Sequence, residues 1–188
     1  MAPFWQLITV LLTWYPIAND LAVERALMNS SEAAWRGVVA GAIGTVALTA
    51  LRRLIEPAVV PAKLRQAEHP PEQIVEWAEE RVGEPATLSN TEKMTAAMVL
   101  HFGYGAAAGA LYGLLRPRVE GMPATLAGAM FGTGVWAVSL EGWLPALGIA
   151  PATTDQAPRK WPMPVLEHVT YGVVTALAYD ALSPSRDD

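Results

Sequence analysis

The sequence predicts an all-α, polytopic membrane helix bundle. It has four transmembrane helices as two repeated helix pairs, and an N-terminal apolar helix that either also spans or lies in the interface. Three observations predict this class. Apolar residues make up 52% of the chain and fall in long blocks, while charged residues are only 16%, against roughly 25% in soluble chains. The block Met94–Leu115 carries no formal charge and matches the roughly 20 residues a helix needs to cross a bilayer. Several blocks repeat glycine at helical spacing, which gives smooth faces on which helices approach closely in lipid. A soluble helical protein is the alternative fold.

Residues 1–32 are read as the N-terminal apolar helix and its connection. Ala2–Ala18 is apolar except for Gln6, Thr9 and Thr13, and Trp5, Trp14 and Tyr15 lie near its ends, where interfacial aromatics belong. It has neither the basic leader nor the small-residue cleavage site of a secretory signal. Pro16 is expected to end or kink the helix, and Asn19–Glu32 to form a polar connection. The membrane bundle is placed at residues 33–182. Its first span, Ala33–Ile55, is flanked by Arg36 and by Arg52–Arg53, whose long side chains can snorkel to headgroups. Gly37, Gly41 and Gly44 give this span a packing face.

Residues 57–91 form a polar, proline-rich segment. Within it, Pro71 suits the first turn of a short helix running to about Val82. Ile74, Ala78 and Val82 would share one face of that helix, with Glu72, Glu76, Glu79 and Glu80 over much of the rest. An acidic helix does not suit anionic lipid, so it either caps the bundle, meets a partner or is a solvated linker. Met94–Leu115 is the second span, with Gly105, Gly109 and Gly113 in a stripe. Arg116–Gly121 is a tight turn. Met122–Leu147 is the third span, where Gly128 and Gly132 repeat the glycine spacing of the first and Pro145 and Gly148 loosen the far end. Residues 150–160 are a loop, Trp161–Leu182 is the fourth span, and residues 183–188 are a polar tail.

His101-x-x-Tyr104-Gly105 with Tyr112 is matched, at the same internal offsets, by His168-x-x-Tyr171-Gly172 with Tyr179. This reads as an internal duplication, with repeat 1 over about 33–116 and repeat 2 over about 122–182. Two helices per copy return the chain to its starting side, so the copies share topology about an axis along the membrane normal. Arg52, Arg53, Lys63, Arg65, Arg159 and Lys160 weight loops 57–91 and 150–160 toward the cytoplasm. The net charge of −5 offers no basic face for phosphates, which argues against nucleic acid. The absence of cysteine excludes disulfides, thiolate metal sites and cysteine nucleophiles.

Ionisable side chains inside a span are costly and are therefore the candidates for function. Here they are His101, Glu141, Glu167 and His168. Both histidines lie about 10 Å inside the cytoplasmic boundary at about 1.5 Å per residue, with Glu141 near the same end. Glu167 and His168 are about 100° apart around their helix and are expected not to face one direction. Tyr104 and Tyr171 share the histidine face one turn deeper. His69, next to Pro70–Pro71, reads as a solvated loop residue.

Three chemistries fit these residues. A proton- or ion-linked site is favoured because histidine titrates near neutrality and a neighbouring carboxylate raises its pKa. Its plain rival is an interhelical hydrogen bond with no further role, worth about 0.6 kcal/mol on average. A bis-His haem site, or a metal site at His101/His168 joined by Glu141 and Glu167, is the second, and the bulky tyrosine beside each histidine opposes it. An enzyme is the third. No Ser-His-Asp set, phosphate loop or H-E-x-x-H is present, so the chain is read as neither an enzyme nor a resident cofactor or metal protein.

At Gly37-Val-Val-Ala-Gly41-Ala-Ile-Gly44-Thr45 and His101-Phe-Gly-Tyr104-Gly105 the chain resembles the YagU-like small bacterial inner-membrane proteins. The likeness would cover about Ala33–Leu182. That group tends to follow its first helix with Gly-Trp-Glu and Pro-Pro-Arg, where this chain has Arg52-Arg53-Leu54-Ile55-Glu56-Pro57. The resemblance implies a four-helix inner-membrane protein, with a suggested link to acid resistance, and carries over no catalytic residue. The expected role is a pH-responsive or proton/ion-linked membrane protein with a His/Glu site inside the bundle. The alternative is a structural or scaffold subunit of a membrane complex, packing through its glycine faces. The expected partners are the lipid bilayer and either a second copy or a complex subunit.

Overall fold

The computed structural model describes residues 4–59, 69–82 and 88–183, with side chains from Met28 onward except at residue 59. All its regular elements are helical, and no strand occurs among the described residues. They are α1 (Phe4–Val59), α2 (Pro70–Val82), α3 (Asn90–Leu115), α4 (Ala124–Trp136), α5 (Leu144–Ala146) and α6 (Pro162–Leu182), with a π-helical turn, Ala137–Trp143, joining α4 to α5. Two stretches, Met28–Ala58 and Asn90–Val119, are long and apolar enough to cross a membrane.

The N-terminal region departs from expectation. α1 runs unbroken past Pro16 and through Asn19–Glu32, where a connection was expected. No glycine or proline occurs between Ile17 and Arg36, and leucine, alanine, glutamate and arginine in this run favour helix. A single proline removes one backbone hydrogen bond, which a long helix can absorb. The side chains of Gln6, Thr9, Thr13, Trp5, Trp14 and Tyr15 lie outside the described residues, as do residues 60–68, 83–87 and 184–188.

α3 starts earlier than the apolar block suggests because Ser89 and Glu92 form a capping box. The Glu92 amide donates to Ser89 Oγ at 3.4 Å and the Ser89 amide to Glu92 Oε2 at 2.8 Å. Two otherwise orphaned amides are thereby satisfied. The expected third span is helical from Ala124 to Ala146 with the π turn inside it. Leu144 N–H bonds the Ser139 carbonyl, five residues back. Its end is not loosened but sharply capped. Gly148 has φ +69°, Gly148 N–H donates to Pro145 O and Ile149 N–H to Leu144 O, each at 3.0 Å. This is the Schellman pattern, which needs the left-handed conformation that glycine adopts freely.

α1 lies between α3 and α6, and α4 packs on the far side of α6. Close approach is made at glycines. A Cβ on Gly37 would strike the Gly109 carbonyl, one on Gly41 the Gly105 carbonyl, and one on Gly113 the Ala33 carbonyl. On the other pair, Gly128 lies against the Gly172 carbonyl and Gly132 against the His168 carbonyl. Gly44 faces α6 at Thr175 and Tyr171. All the glycines expected to pack are thus consumed within the chain. Between them lies a small core of Ala40, Tyr112, Ala176 and Tyr179. At the end with the 116–121 turn, Arg116 clamps Asp180 through two bonds of 2.9 and 2.7 Å.

α2 caps the opposite end. Trp77 Nε1 donates to the Leu147 carbonyl at 3.2 Å, Lys93 pairs with Glu79 at 2.6 Å, and Val75 is buried. The docked face differs from the one expected: Val82 is 79% exposed and Ala78 is exposed too. Burial here follows Pro70, Pro71 and Ile74, which seal a cavity between the helices.

Candidate functional site

The cavity under α2 has a volume of about 230 Å³. It is bounded by α1, α3, α6, the π turn after α4, and the loop from Ala150 to Gln156. His101, Tyr104, Glu167, His168 and Tyr171 all line it. Glu167 and His168 reach the same space despite their angular separation, because the cavity is wide enough to be entered from both flanks of α6.

Glu167 is 3% exposed. Its Oε2 pairs with Arg52 Nη1 at 3.5 Å, and its Oε1 is buried with no hydrogen-bond partner. Arg52 also reaches Glu56 Oε2 at 3.3 Å, one helical turn along α1. Sequence reading placed Arg52 at a membrane boundary. In the fold it turns inward and lines the cavity, and nothing in a bare flanking Arg-Arg pair distinguishes those two roles.

His168 Nδ1 is 2.8 Å from the Pro164 carbonyl. A carbonyl only accepts, so Nδ1 carries the proton of this bond and the neutral ring presents Nε2 as an acceptor. His101 Nε2 lies 3.2 Å from Thr49 Oγ1, whose hydroxyl also donates to the Thr45 carbonyl at 2.8 Å. With that hydroxyl proton engaged, the geometry suits His101 Nε2–H donating to Thr49. The tyrosines are occupied: Tyr171 donates to the Gly105 carbonyl at 2.6 Å, and Tyr104 O–H meets Ser139 Oγ at 2.7 Å while Ser139 donates to Val135 O at 2.7 Å.

Glu141 is not brought to the histidines. Its carboxylate accepts from Thr154 Oγ1 at 2.6 Å and Thr154 N–H at 3.2 Å, so it anchors the loop that closes the cavity. The π turn shifts the register of this helix end and turns Glu141 toward the loop. The mixed nitrogen–oxygen metal set that needed Glu141 is therefore not assembled. Among the described residues no group of three or more His, Asp or Glu side chains is arranged to hold a metal ion.

His69 also departs from expectation. It is half-buried, its Nδ1 has no hydrogen-bond partner, and it lines a second cavity of about 380 Å³ together with Arg52 and His101. Burial, and then the Arg52 charge, hold its pKa below the ordinary 6.5, outweighing Glu72 and Glu56. Leu48, Arg52, Pro71 and His101 border both cavities.

No family model, curated protein or solved structure matches the chain. The chemistry of the site therefore rests on its own geometry. Two acceptor atoms, Glu167 Oε1 and His168 Nε2, belong to adjacent residues that line one cavity, which Arg52 and His101 also line.

Proposed function

We propose that the chain is a small multi-pass membrane protein in which His101, His168 and Glu167 form a proton- or ion-linked site. The observation that carries this is Glu167, a buried carboxylate with one unpartnered oxygen, in a cavity shared with both histidines. Buried polar groups are seldom left without a partner, and titratable groups gathered in a cleft are functional candidates.

Membrane insertion is supported by where the apolar surface lies. Only 28% and 22% of the most apolar windows of the two candidate spans are buried. Trp35, Val46, Val99, Leu111 and Met130 all point outward, more than half exposed. So much outward apolar surface is unusual for a soluble monomer and suits lipid. On this reading α1, α3, the α4–α5 run and α6 all cross the bilayer, and the chain belongs with the YagU-like inner-membrane proteins. The duplication is supported by matched contacts. Gly41 meets the Gly105 carbonyl and Gly109, while Gly128 meets the Gly172 carbonyl and Ala176, their counterparts one repeat later. The paired tyrosines Tyr112 and Tyr179 stack edge to face with centroids 5.8 Å apart.

The test is pH-driven proton uptake into liposomes holding the purified protein. Glu167→Gln keeps the side chain's shape and removes its charge, and is expected to cut uptake at least tenfold. Uptake equal to that of wild type would refute a role for Glu167.

A further inference from the structure

The geometry points to a ligand class for this cavity: a primary or secondary ammonium on a small apolar body, held by Glu167 and His168. The inference rests on the cavity being the working site, as proposed above, and names what enters it.

Three properties of the cavity select this ligand. The first is charge. Arg52 stands against both Glu56 and Glu167, which leaves one negative charge in excess when both carboxylates are ionised. The other titratable groups near Glu167 are His69 ahead of α2, His101 on α3 and His168 on α6. α4 and its π turn contribute none, because Glu141 is spent on Thr154. The second is hydrogen bonding. Glu167 Oε1 has no donor, and His168 Nε2 is an acceptor because Nδ1 is committed to Pro164. Acceptors on two flanks of one cavity suit a ligand with more than one N–H donor. A carboxylate ligand would meet the acceptors with like charge, and a quaternary ammonium would leave both bonds unmade.

The third property is the wall. Leu100, Val135 and Leu140 supply apolar surface, and Tyr104 and Trp143 bring two rings with centroids 6.3 Å apart. Aromatic faces attract an ammonium and cover a hydrocarbon body equally well. At about 230 Å³ the space lies below the range for drug-sized ligands and suits about ten heavy atoms.

The experiment is calorimetric titration of the full-length protein in detergent with 2-phenylethylammonium, 2-phenylethanol and phenylacetate, each corrected for partition into empty micelles. Saturable binding of the ammonium, at least tenfold weaker binding of the alcohol and none of phenylacetate are expected. Glu167→Gln should weaken ammonium binding at least tenfold. Val135→Phe, which fills the cavity without altering any charge, should weaken it similarly and guards against a folding defect in the first variant. Equal binding of ammonium and alcohol, preference for phenylacetate, or no saturable binding by folded wild type would each overturn the inference. Proton uptake that persists in a protein with no amine affinity would overturn this inference alone. Amine binding without any uptake would overturn the proton-linked reading and leave the ligand site standing.

Discussion

Glu141 and Glu167 are carboxylates of the same kind placed near the same end of the bundle, and their surroundings divide their roles. Glu141 has two donors from Thr154, so Glu141→Ala should free the 150–156 loop, seen as faster proteolysis there, while a well-folded core persists. A loop as protected as in wild type would contradict the anchoring role. Tyr171 spends its hydroxyl on the Gly105 carbonyl, and Tyr171→Phe should cost about 1 kcal/mol of stability, the net worth of one such bond. His69 gives a pH dependence. Its folded pKa is depressed, so the unfolded state binds the proton more readily. The stability it contributes is fully present above its ordinary value of 6.5 and is lost as pH falls through the lower folded value. Amides of α2, compared as protection factors with the intrinsic pH dependence of exchange divided out, should therefore be better protected at pH 7.5 than at pH 5, and His69→Gln should flatten that difference. An unchanged pH response in the variant would contradict it. The residue pattern H-x-x-Y-G singled out His101 and His168 from sequence alone. The inward turn of Arg52 and the burial of His69 were not legible, because both depend on α2 folding back over the bundle.

Glycines separate packing from propensity along the helices. Gly109 approaches the backbone of Gly37 and Gly41, so Gly109→Leu should push α1 and α3 apart at a cost of about 3 kcal/mol. Gly134 faces open space, and Gly134→Ala should instead stabilise the helix by up to about 1 kcal/mol. Thermal unfolding in detergent measures both, and the same sign for the two would contradict this division. Sequence spacing offered Gly37, Gly41, Gly105 and Gly109 as helix-facing candidates, and each lies against a neighbouring helix. It could not separate a bundle interior from an oligomer interface, since both use the same smooth stripe. The capping box at Ser89–Glu92 is readable as S-x-x-E ahead of an apolar run, whereas the uncharged block itself starts only at Met94. The length of α1 was hidden by Pro16 and by polar residues that are also good helix formers. The π turn has no plain sequence signal beyond Pro145 and the small residues Ser139 and Gly142.

At the scale of the whole molecule, the four-span reading predicts that the 116–121 turn and the 150–160 loop lie on opposite sides of the membrane. The chain has no cysteine, so Glu120→Cys and Asp155→Cys report this cleanly, and labelling of both from the same side would contradict it. The all-helical class followed from long apolar blocks and glycine spacing, features that composition exposes directly. The cavity did not, because it arises from α1 and α6 packing together while α3 and the π turn after α4 are bridged by side chains such as Tyr104 and Ser139. On the proposed reading His101 and His168 work together with Glu167 in this cavity. The most direct measurement is proton uptake by liposomes under an imposed pH gradient, comparing wild type with a folded His101→Phe/His168→Phe variant. Uptake above empty liposomes that disappears in the variant is the predicted result. Uptake that survives the double substitution, or wild type no faster than empty liposomes, would contradict the claim.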